Sequence, residues 1–214
     1  MTAVADMAGE LHGALGIFGG TFDPIHVAHL AVAEAARDVL GLDRVLFIPA
    51  GLPPHKLDQT VTSADHRAAM IEAAIADNPG FAMSRMEIDR DGPSFTADTL
   101  DAIEAPRLAL IISAEAFRQL PTWHQPERVI ARATIVVAPR DGYPEPDASF
   151  LERSFPGSPV RVVILDGPRL RLSASEIRAR AAAGRSLRYL VPDAVAAYIR
   201  DHSLYQDPRR THRT

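Results

Sequence analysis

Two histidines and a pair of glycines lie close together near the start of the chain, in the segment GIFGGTFDPIHVAHL at positions 16–30. Gly19 and Gly20 let the backbone approach a ligand closely, because neither carries a side chain. His26 and His29 are three residues apart where a helix is predicted to begin, so both imidazoles can project to one side. A helix N-terminus also offers free N–H groups and a positive dipole end to anions. The segment is therefore a predicted site for a triphosphate, with His29 largely exposed at its mouth.

The segment contains neither of two common phosphate-binding motifs. The dinucleotide fingerprint needs G-x-G-x-x-G and the P-loop needs G-x-x-x-x-G-K-[ST], and neither pattern occurs here. Asp23, His26 and His29 are also metal-ligand types, so a metal-dependent phosphohydrolase is an alternative. Against it, the chain has no H-E-x-x-H motif and no cysteine.

The elements that must position this segment alternate along the chain. Short apolar runs alternate with Ala-rich stretches from Ala14 onward, a pattern typical of parallel strands with crossover helices. It predicts an α/β fold with a doubly wound, Rossmann-like parallel sheet of five or six strands and a small C-terminal helical part. The predicted strands are 14–18, 45–48, 81–88, 108–112, 135–138 and 160–165, and the stretch 142–159 is predicted to be a loop. The predicted helices are 30–40, one from Ser63 to Asn78, one after Ser94, one capped by Ser173 and Glu176 and ended by Gly184, and one with Pro192 at its first position.

The first strand leads directly into the first helix, so the glycines and histidines are predicted to lie at the carboxyl edge of the sheet, where open α/β sheets bind ligands. With 214 residues and 47% hydrophobic residue types, the chain is long enough to bury one core. We predict a flexible N-terminal extension at 1–13, a single domain at 14–205 and a flexible tail at 206–214.

Composition excludes several classes of protein. The formal net charge of -4 argues against a general nucleic-acid binder, which needs clustered Lys and Arg. No apolar run approaches the roughly 20 residues that span a bilayer, and the first 13 residues do not resemble a signal peptide. Without cysteine the chain has no disulfide and no thiolate site. We therefore expect a cytoplasmic protein that binds neither nucleic acid nor membrane.

Residues 19–29, with the pattern G-G-T-F-D-P-I-H-x-x-H, resemble the signature of the nucleotidylyltransferase superfamily with the [HT]-x-G-H motif. Four later segments resemble, in the same order, segments of the bacterial nicotinate-nucleotide adenylyltransferase family. They are PPHK at 53–56, SFTADTL at 94–100, PTWH at 121–124 and LSASEIR at 172–178. The resemblance extends from about Leu15 to Tyr205.

This resemblance implies transfer of AMP from ATP to nicotinate mononucleotide, giving nicotinate adenine dinucleotide and pyrophosphate in NAD biosynthesis. Mg²⁺ would be carried by ATP rather than held by the protein, and a homo-oligomer is compatible with the family. The implied catalytic residues, which contact the ATP phosphates, are His26, His29 and Arg178. The implied ATP site also contains Gly19, Gly20, Thr21, Phe22, Asp23, Ser113, Glu115 and Ser173. The implied acceptor site contains Lys56, Phe95, Thr96, Trp123 and His124, with Trp123 stacking on the nicotinate ring.

The chain departs from the family pattern at several positions. Ala28 replaces the motif glycine, Ser113-Ala114-Glu115 replaces Gly-x-Asp, and Phe95 replaces a tyrosine. The added methyl and the longer acid predict changed affinities more than a changed reaction. The departures at Ala28 and Glu115 also leave open a nucleotide-binding regulator without turnover, and transfer to phosphopantetheine is the nearest alternative within the superfamily.

Overall fold

The computed structural model describes residues 9–53, 61–139, 141–142 and 144–206, and six parallel strands form its single described sheet. The strands are β1 (Leu15–Gly20), β2 (Arg44–Pro49), β3 (Phe81–Met83), β4 (Leu108–Ser113), β5 (Thr134–Ala138) and β6 (Val162–Ile164). Their order is β3-β2-β1-β4-β5-β6, so the chain reverses direction across the sheet between β1 and β4. This is the strand order of doubly wound dinucleotide-binding folds, and it confirms the predicted fold class.

Eight α-helices connect or follow these strands in the described part of the chain. They are α1 (Val27–Leu40), α2 (Ala64–Ile75), α3 (Thr96–Asp101), α4 (Ala114–Gln119), α5 (Pro126–Arg132), α6 (Ser149–Ser154), α7 (Ala174–Ala182) and α8 (Asp193–Asp201). A 3₁₀ turn, Leu120–Thr122, joins α4 to the segment that leads into α5. None of these helices is long and apolar enough to cross a membrane.

Both faces of the sheet are covered by helices. Side chains of one strand alternate between the two faces, so Ile135 and Val137 of β5 belong to one apolar cluster while Val136 and Ala138 belong to the other. Buried residues of α1, α2, α7 and α8 join the second cluster, and those of α3, α4, α5 and α6 join the first. Strands buried on two faces read as continuous apolar runs, which explains why they could be predicted.

Several predicted boundaries were wrong. β1 continues to Gly20, so the glycine pair ends a strand, and α1 begins at Val27, three residues before its predicted start. The predicted strand 81–88 ends at Met83, because the N–H groups of Ile88 and Asp89 turn back to the carbonyl of Arg85. Helix α6 lies within the predicted loop 142–159, and Pro192 precedes α8 rather than beginning it.

Part of the predicted N-terminal extension packs against the domain. Leu11 is only 3% exposed and belongs to the apolar cluster of α1. Arg107, which precedes β4, donates from its guanidinium to the carbonyls of Glu10 and His12, both at 2.8 Å. Residues 9–13 are therefore anchored, whereas 1–8 and 207–214 lie outside the described residues.

Gly51 occupies a crowded position just after β2. A Cβ atom added there would lie 2.1 Å from the carbonyl oxygen of Glu87, closer than real Cβ contacts allow. Because that obstacle is backbone, we expect Gly51→Ala to lower the free energy of unfolding by about 1–3 kcal/mol, as overpacking does. Chemical denaturation would measure the loss. Gly9→Ala is the matched control, since an added Cβ at Gly9 meets nothing within 4 Å; equal stability of the two variants would contradict this prediction.

Candidate active site

The loop between β1 and α1 lies at the carboxyl edge of the sheet, beside the point where the strand order reverses. β1 pairs with β2 on one side and with β4 on the other, and Ser113 is the last residue of β4. Loops at this reversal form the usual ligand crevice of doubly wound sheets. The glycine pair, the histidines and Ser113 therefore share one edge, as predicted.

The two motif histidines stack on each other at the start of α1. Their ring centroids are 3.6 Å apart with 16° between the planes. The backbone N–H of His26 donates to Nδ1 of His29 at 3.2 Å. A neutral imidazole that accepts at Nδ1 carries its proton on Nε2, so this bond makes the Nε2 atom of His29 a donor. The local fold thus sets both the orientation and the tautomer of His29.

The expectation that His29 is largely exposed was wrong. Its ring is half-buried and packs edge-on against Phe22, with centroids 5.0 Å apart, and against Phe18 at 5.9 Å. His26 is more deeply buried, with 5% of its surface exposed. Phe22 itself is buried and has a left-handed backbone, with φ of 50°, so the loop turns sharply beneath the histidine. Aromatic packing therefore limits the freedom of the His29 ring.

Gly19 and Gly20 end β1, and Thr21 begins the loop that follows. A Cβ added at Gly19 would meet nothing within 4 Å, so open space lies beside this backbone and a ligand could approach it closely. At Gly20, an added Cβ would lie 3.1 Å from the ring of Phe22. Next to them, the carbonyl of Thr21 accepts a hydrogen bond from Arg67 at 2.9 Å.

Asp23 faces the protein interior. Its side chain is buried, Oδ2 accepts from the backbone N–H of Thr62 at 3.2 Å, and Oδ1 accepts from the hydroxyl of Tyr205 at 2.6 Å. Both carboxylate oxygens thus have protein donors. The carboxylate therefore holds the loop, and the place of Asp23 in the ATP site stays a prediction.

Arg178 reaches the same loop from a distant part of the sequence. Ser173 caps α7 by accepting from the N–H of Glu176 at 3.2 Å, as the capping pattern predicted. One and a half turns further along, Nη1 of Arg178 donates to the backbone carbonyl of Asp23 at 2.7 Å. The fold therefore brings the third predicted catalytic residue beside the loop that carries the histidines.

Arg67 was missed by sequence reasoning, although it contacts this loop. It is 1% exposed, and its guanidinium donates to the carbonyls of Thr62 and Thr21, both at 2.9 Å, and of Gly51 at 3.4 Å. Burial lowers the pKa of Arg67, while the nearby charge of Asp23 acts to raise it. Its spacing in the sequence could have revealed it. Arg67, Ile71 and Ala74 are separated by the four- and three-residue intervals that place side chains on one face of a helix, here the buried face of α2.

The predicted acceptor residues lie on the α3 side of the same edge. Phe95 precedes α3 and Thr96 begins it, and the rings of Phe95 and His124 stack with centroids 4.1 Å apart. Ser94 accepts from the N–H groups of Gly51, at 2.9 Å, and Leu52, at 3.3 Å, which ties this segment to the loop after β2. Lys56, also predicted here, lies outside the described residues.

Ser113 and Glu115 open α4 at the end of β4. The Ser113 hydroxyl accepts from the N–H of Ala116 at 3.2 Å and so caps the helix, and Glu115 is half-buried in its first turn. Within the described chain, no three His, Asp or Glu side chains come together as a metal site would require.

Trp123 combines a predicted ligand contact with a packing role. It is half-buried and packs against the apolar cluster on the α3 side of the sheet. We expect Trp123→Ala to weaken acceptor binding by about 1–3 kcal/mol, the value of one aromatic–base stack, while the KM for ATP changes little. Trp123→Phe keeps an aromatic face and is the control. Equal losses for ATP and acceptor, or an unfolded Ala variant beside an unaffected Phe variant, would show that Trp123 only packs the core.

Comparison with known proteins agrees with this geometry. A family model described as cytidylyltransferase-like matches residues 17–180. The "Probable nicotinate-nucleotide adenylyltransferase" of Roseiflexus sp. (strain RS-1) is 47% identical over 195 residues, which cover 90% of this chain and 98% of that protein. The protein of the same name from Thermus thermophilus is 46% identical over 198 residues, with 90% and 99% covered.

Among solved structures, the nicotinic acid mononucleotide adenylyltransferase of Plasmodium falciparum complexed with NaAD has the same fold. It superposes with a TM-score of 0.74 at 19% identity, covering 91% of this chain and 98% of that one. The sequence relatives and the matched family model confirm the resemblance read from the motifs. The chain belongs to the nicotinate-nucleotide adenylyltransferase branch of the cytidylyltransferase-like family.

Proposed function

We propose that this protein transfers the AMP group of ATP to nicotinate mononucleotide, a step of NAD biosynthesis that releases pyrophosphate. The observation that carries the proposal is the convergence of three cationic or donor side chains on one loop. His26 and His29 begin α1, and Arg178 is held against the same loop by its bond to the carbonyl of Asp23. These are donors suited to phosphate oxygens, placed at the ligand edge of the sheet.

The reaction needs no covalent enzyme intermediate. A phosphate oxygen of the acceptor forms a bond to the α-phosphorus of ATP, the bond from that phosphorus to the bridging oxygen breaks, and its electron pair leaves on pyrophosphate. Two anions must approach, so the work of the protein is positioning and neutralisation of charge. The Nε2 donor of His29, the fork of Arg178 and the positive end of α1 would stabilise the negative charge that develops.

Two features of α1 and α7 fit this role. The first turn of α1 contains no acidic residue, so its positive dipole end is not neutralised there. Arg178 can offer a planar pair of N–H donors to phosphate oxygens. Mg²⁺ would enter as part of the ATP substrate, and Lys56 would add a further phosphate contact. A cytoplasmic location remains a prediction.

One assay separates this proposal from its alternatives. Purified protein is incubated with ATP and Mg²⁺ and with nicotinate mononucleotide, nicotinamide mononucleotide, phosphopantetheine or no acceptor, and pyrophosphate and dinucleotide are both measured. We expect pyrophosphate and nicotinate adenine dinucleotide in equal amounts. Product with phosphopantetheine alone would indicate the other branch of the superfamily. Nucleotide cleavage without acceptor would indicate a hydrolase, and ATP binding without product would indicate a regulator.

A further inference from the structure

The loop between β1 and α1 is fastened to the interior at three points. Arg67 holds the carbonyl of Thr21, the carboxylate of Asp23 is held by Thr62 and Tyr205, and Arg178 donates to the carbonyl of Asp23. Asp23 connects two of these contacts, because its side chain faces the interior while its peptide oxygen accepts from Arg178. Asp23 therefore contacts both Tyr205 and the guanidinium of Arg178.

Tyr205 supplies the longest connection in sequence, since its hydroxyl donates to Oδ1 of Asp23 at 2.6 Å across 182 positions. Burial, together with the bond to Asp23, raises the pKa of the Tyr205 hydroxyl, so it stays protonated and donates throughout the working pH range. Its backbone is left-handed, with φ of 63°, a conformation that non-glycine residues keep only where the surroundings enforce it. The folded structure therefore holds Tyr205 in the position from which it contacts Asp23.

We propose that Tyr205 is a positioning residue of this enzyme: through Asp23, its hydroxyl sets the place of the Arg178 guanidinium. The proposal rests on the proposed function. Tyr205 does not act on substrate itself. Without the hydroxyl, one oxygen of a buried carboxylate loses its donor, and Asp23 must turn to find another. Its peptide oxygen moves with it, and Arg178 then meets the phosphates off its productive position.

The first experiment compares Tyr205→Phe with Tyr198→Phe. Tyr198, on α8, donates to or accepts from Nδ1 of His66 on α2 at 2.9 Å, so its variant also loses one hydroxyl that joins the C-terminal part to the domain. The hydrogen bond and ring contacts of the Tyr198 side chain are with His66 and His202 rather than with Asp23. We expect Tyr205→Phe to lower kcat about 10-fold, less than the roughly 10²-fold that a 1 Å misplacement can cost, with Tyr198→Phe near wild type. Equal kcat values for the two variants would overturn the proposal.

The second experiment tests the route through Arg178. If Tyr205 acts by placing this guanidinium, Tyr205→Phe should change kcat less than about 2-fold in an Arg178→Lys background, because lysine cannot form the same planar contacts. Additive effects of the two substitutions would mean that Tyr205 acts elsewhere and would overturn the assigned route.

The third experiment needs no substrate and so separates this inference from the proposed function. Hydrogen exchange of the free protein should be faster at the backbone amides of 21–23 and 25–26 in Tyr205→Phe and unchanged there in Tyr198→Phe. If the wild type makes no dinucleotide, the proposed function fails. The exchange comparison still tests whether the Tyr205 hydroxyl fixes the loop 21–26. Unchanged exchange in Tyr205→Phe would show that the hydroxyl does not fix the loop.

Discussion

Replacement of His29 by asparagine is expected to lower kcat by about 10²–10³, the cost of removing one preorganised donor from a developing oxyanion. The structure makes asparagine the informative choice. Its Oδ1 atom can take the place of Nδ1 and accept from the N–H of His26, so the start of α1 is kept while the Nε2 donor is lost. The KM for ATP should change little, because a donor aimed at transition-state charge acts mainly on kcat.

Alanine at the same position removes more contacts than asparagine does. His29→Ala also loses the bond from His26 and the edge contacts with Phe18 and Phe22, so we expect a lower melting temperature in addition to the fall in kcat. Measurements of kcat, KM for ATP, metal content and melting temperature on wild type and both variants distinguish a catalytic donor from a purely structural residue and from a metal ligand. Near wild-type turnover of His29→Asn would remove the Nε2 donor from the mechanism, and loss of a bound metal would favour the hydrolase.

Nicotinate mononucleotide is expected to be used at least about 10²-fold better than nicotinamide mononucleotide in kcat/KM. A site that offers donors to a carboxylate loses charge-assisted hydrogen bonds when an amide takes its place, and the amide points its own donors at them. Each factor of ten corresponds to about 1.4 kcal/mol of transition-state stabilisation. The prediction rests on the family resemblance around Thr96 and Trp123.

Two variants locate the source of this preference. Thr96→Val removes a hydroxyl that can donate to the carboxylate, so it should reduce kcat/KM for the acid more than for the amide. Trp123→Ala removes a stacking face that is indifferent to the charge of the substituent, so both acceptors should lose efficiency by the same factor. Steady-state kinetics at saturating ATP measure all four values. Equal efficiency of the wild type with both acceptors would refute the preference.

Local patterns determined much of this architecture. The apolar runs and their spacing predicted all six strands, because strands covered on both faces must be apolar along their length. The ends of the strands were predicted less accurately than their existence. The strand predicted from Phe81 stops at Met83, and beyond it the N–H groups of Ile88 and Asp89 bond to the carbonyl of Arg85 in a turn. Helix α6 was missed because its segment is surrounded by Pro and Gly, which are typical of loops.

The sequence by itself determined the family and the edge of the sheet where the glycines, His26 and His29 lie. These residues and the Ser173 cap depend on neighbours within a few positions, and their roles as donors stay predictions. Tertiary structure decided how those donors are held. The bond from Arg67 to the carbonyl of Thr21 spans 46 positions, and the bond from Tyr205 to Asp23 spans 182. A polar side chain in a sequence does not reveal whether it will be buried or which partner will satisfy it. Burial makes such partners obligatory, and only the packing of α2 and the C-terminal segment against the first loop determines which residues they are.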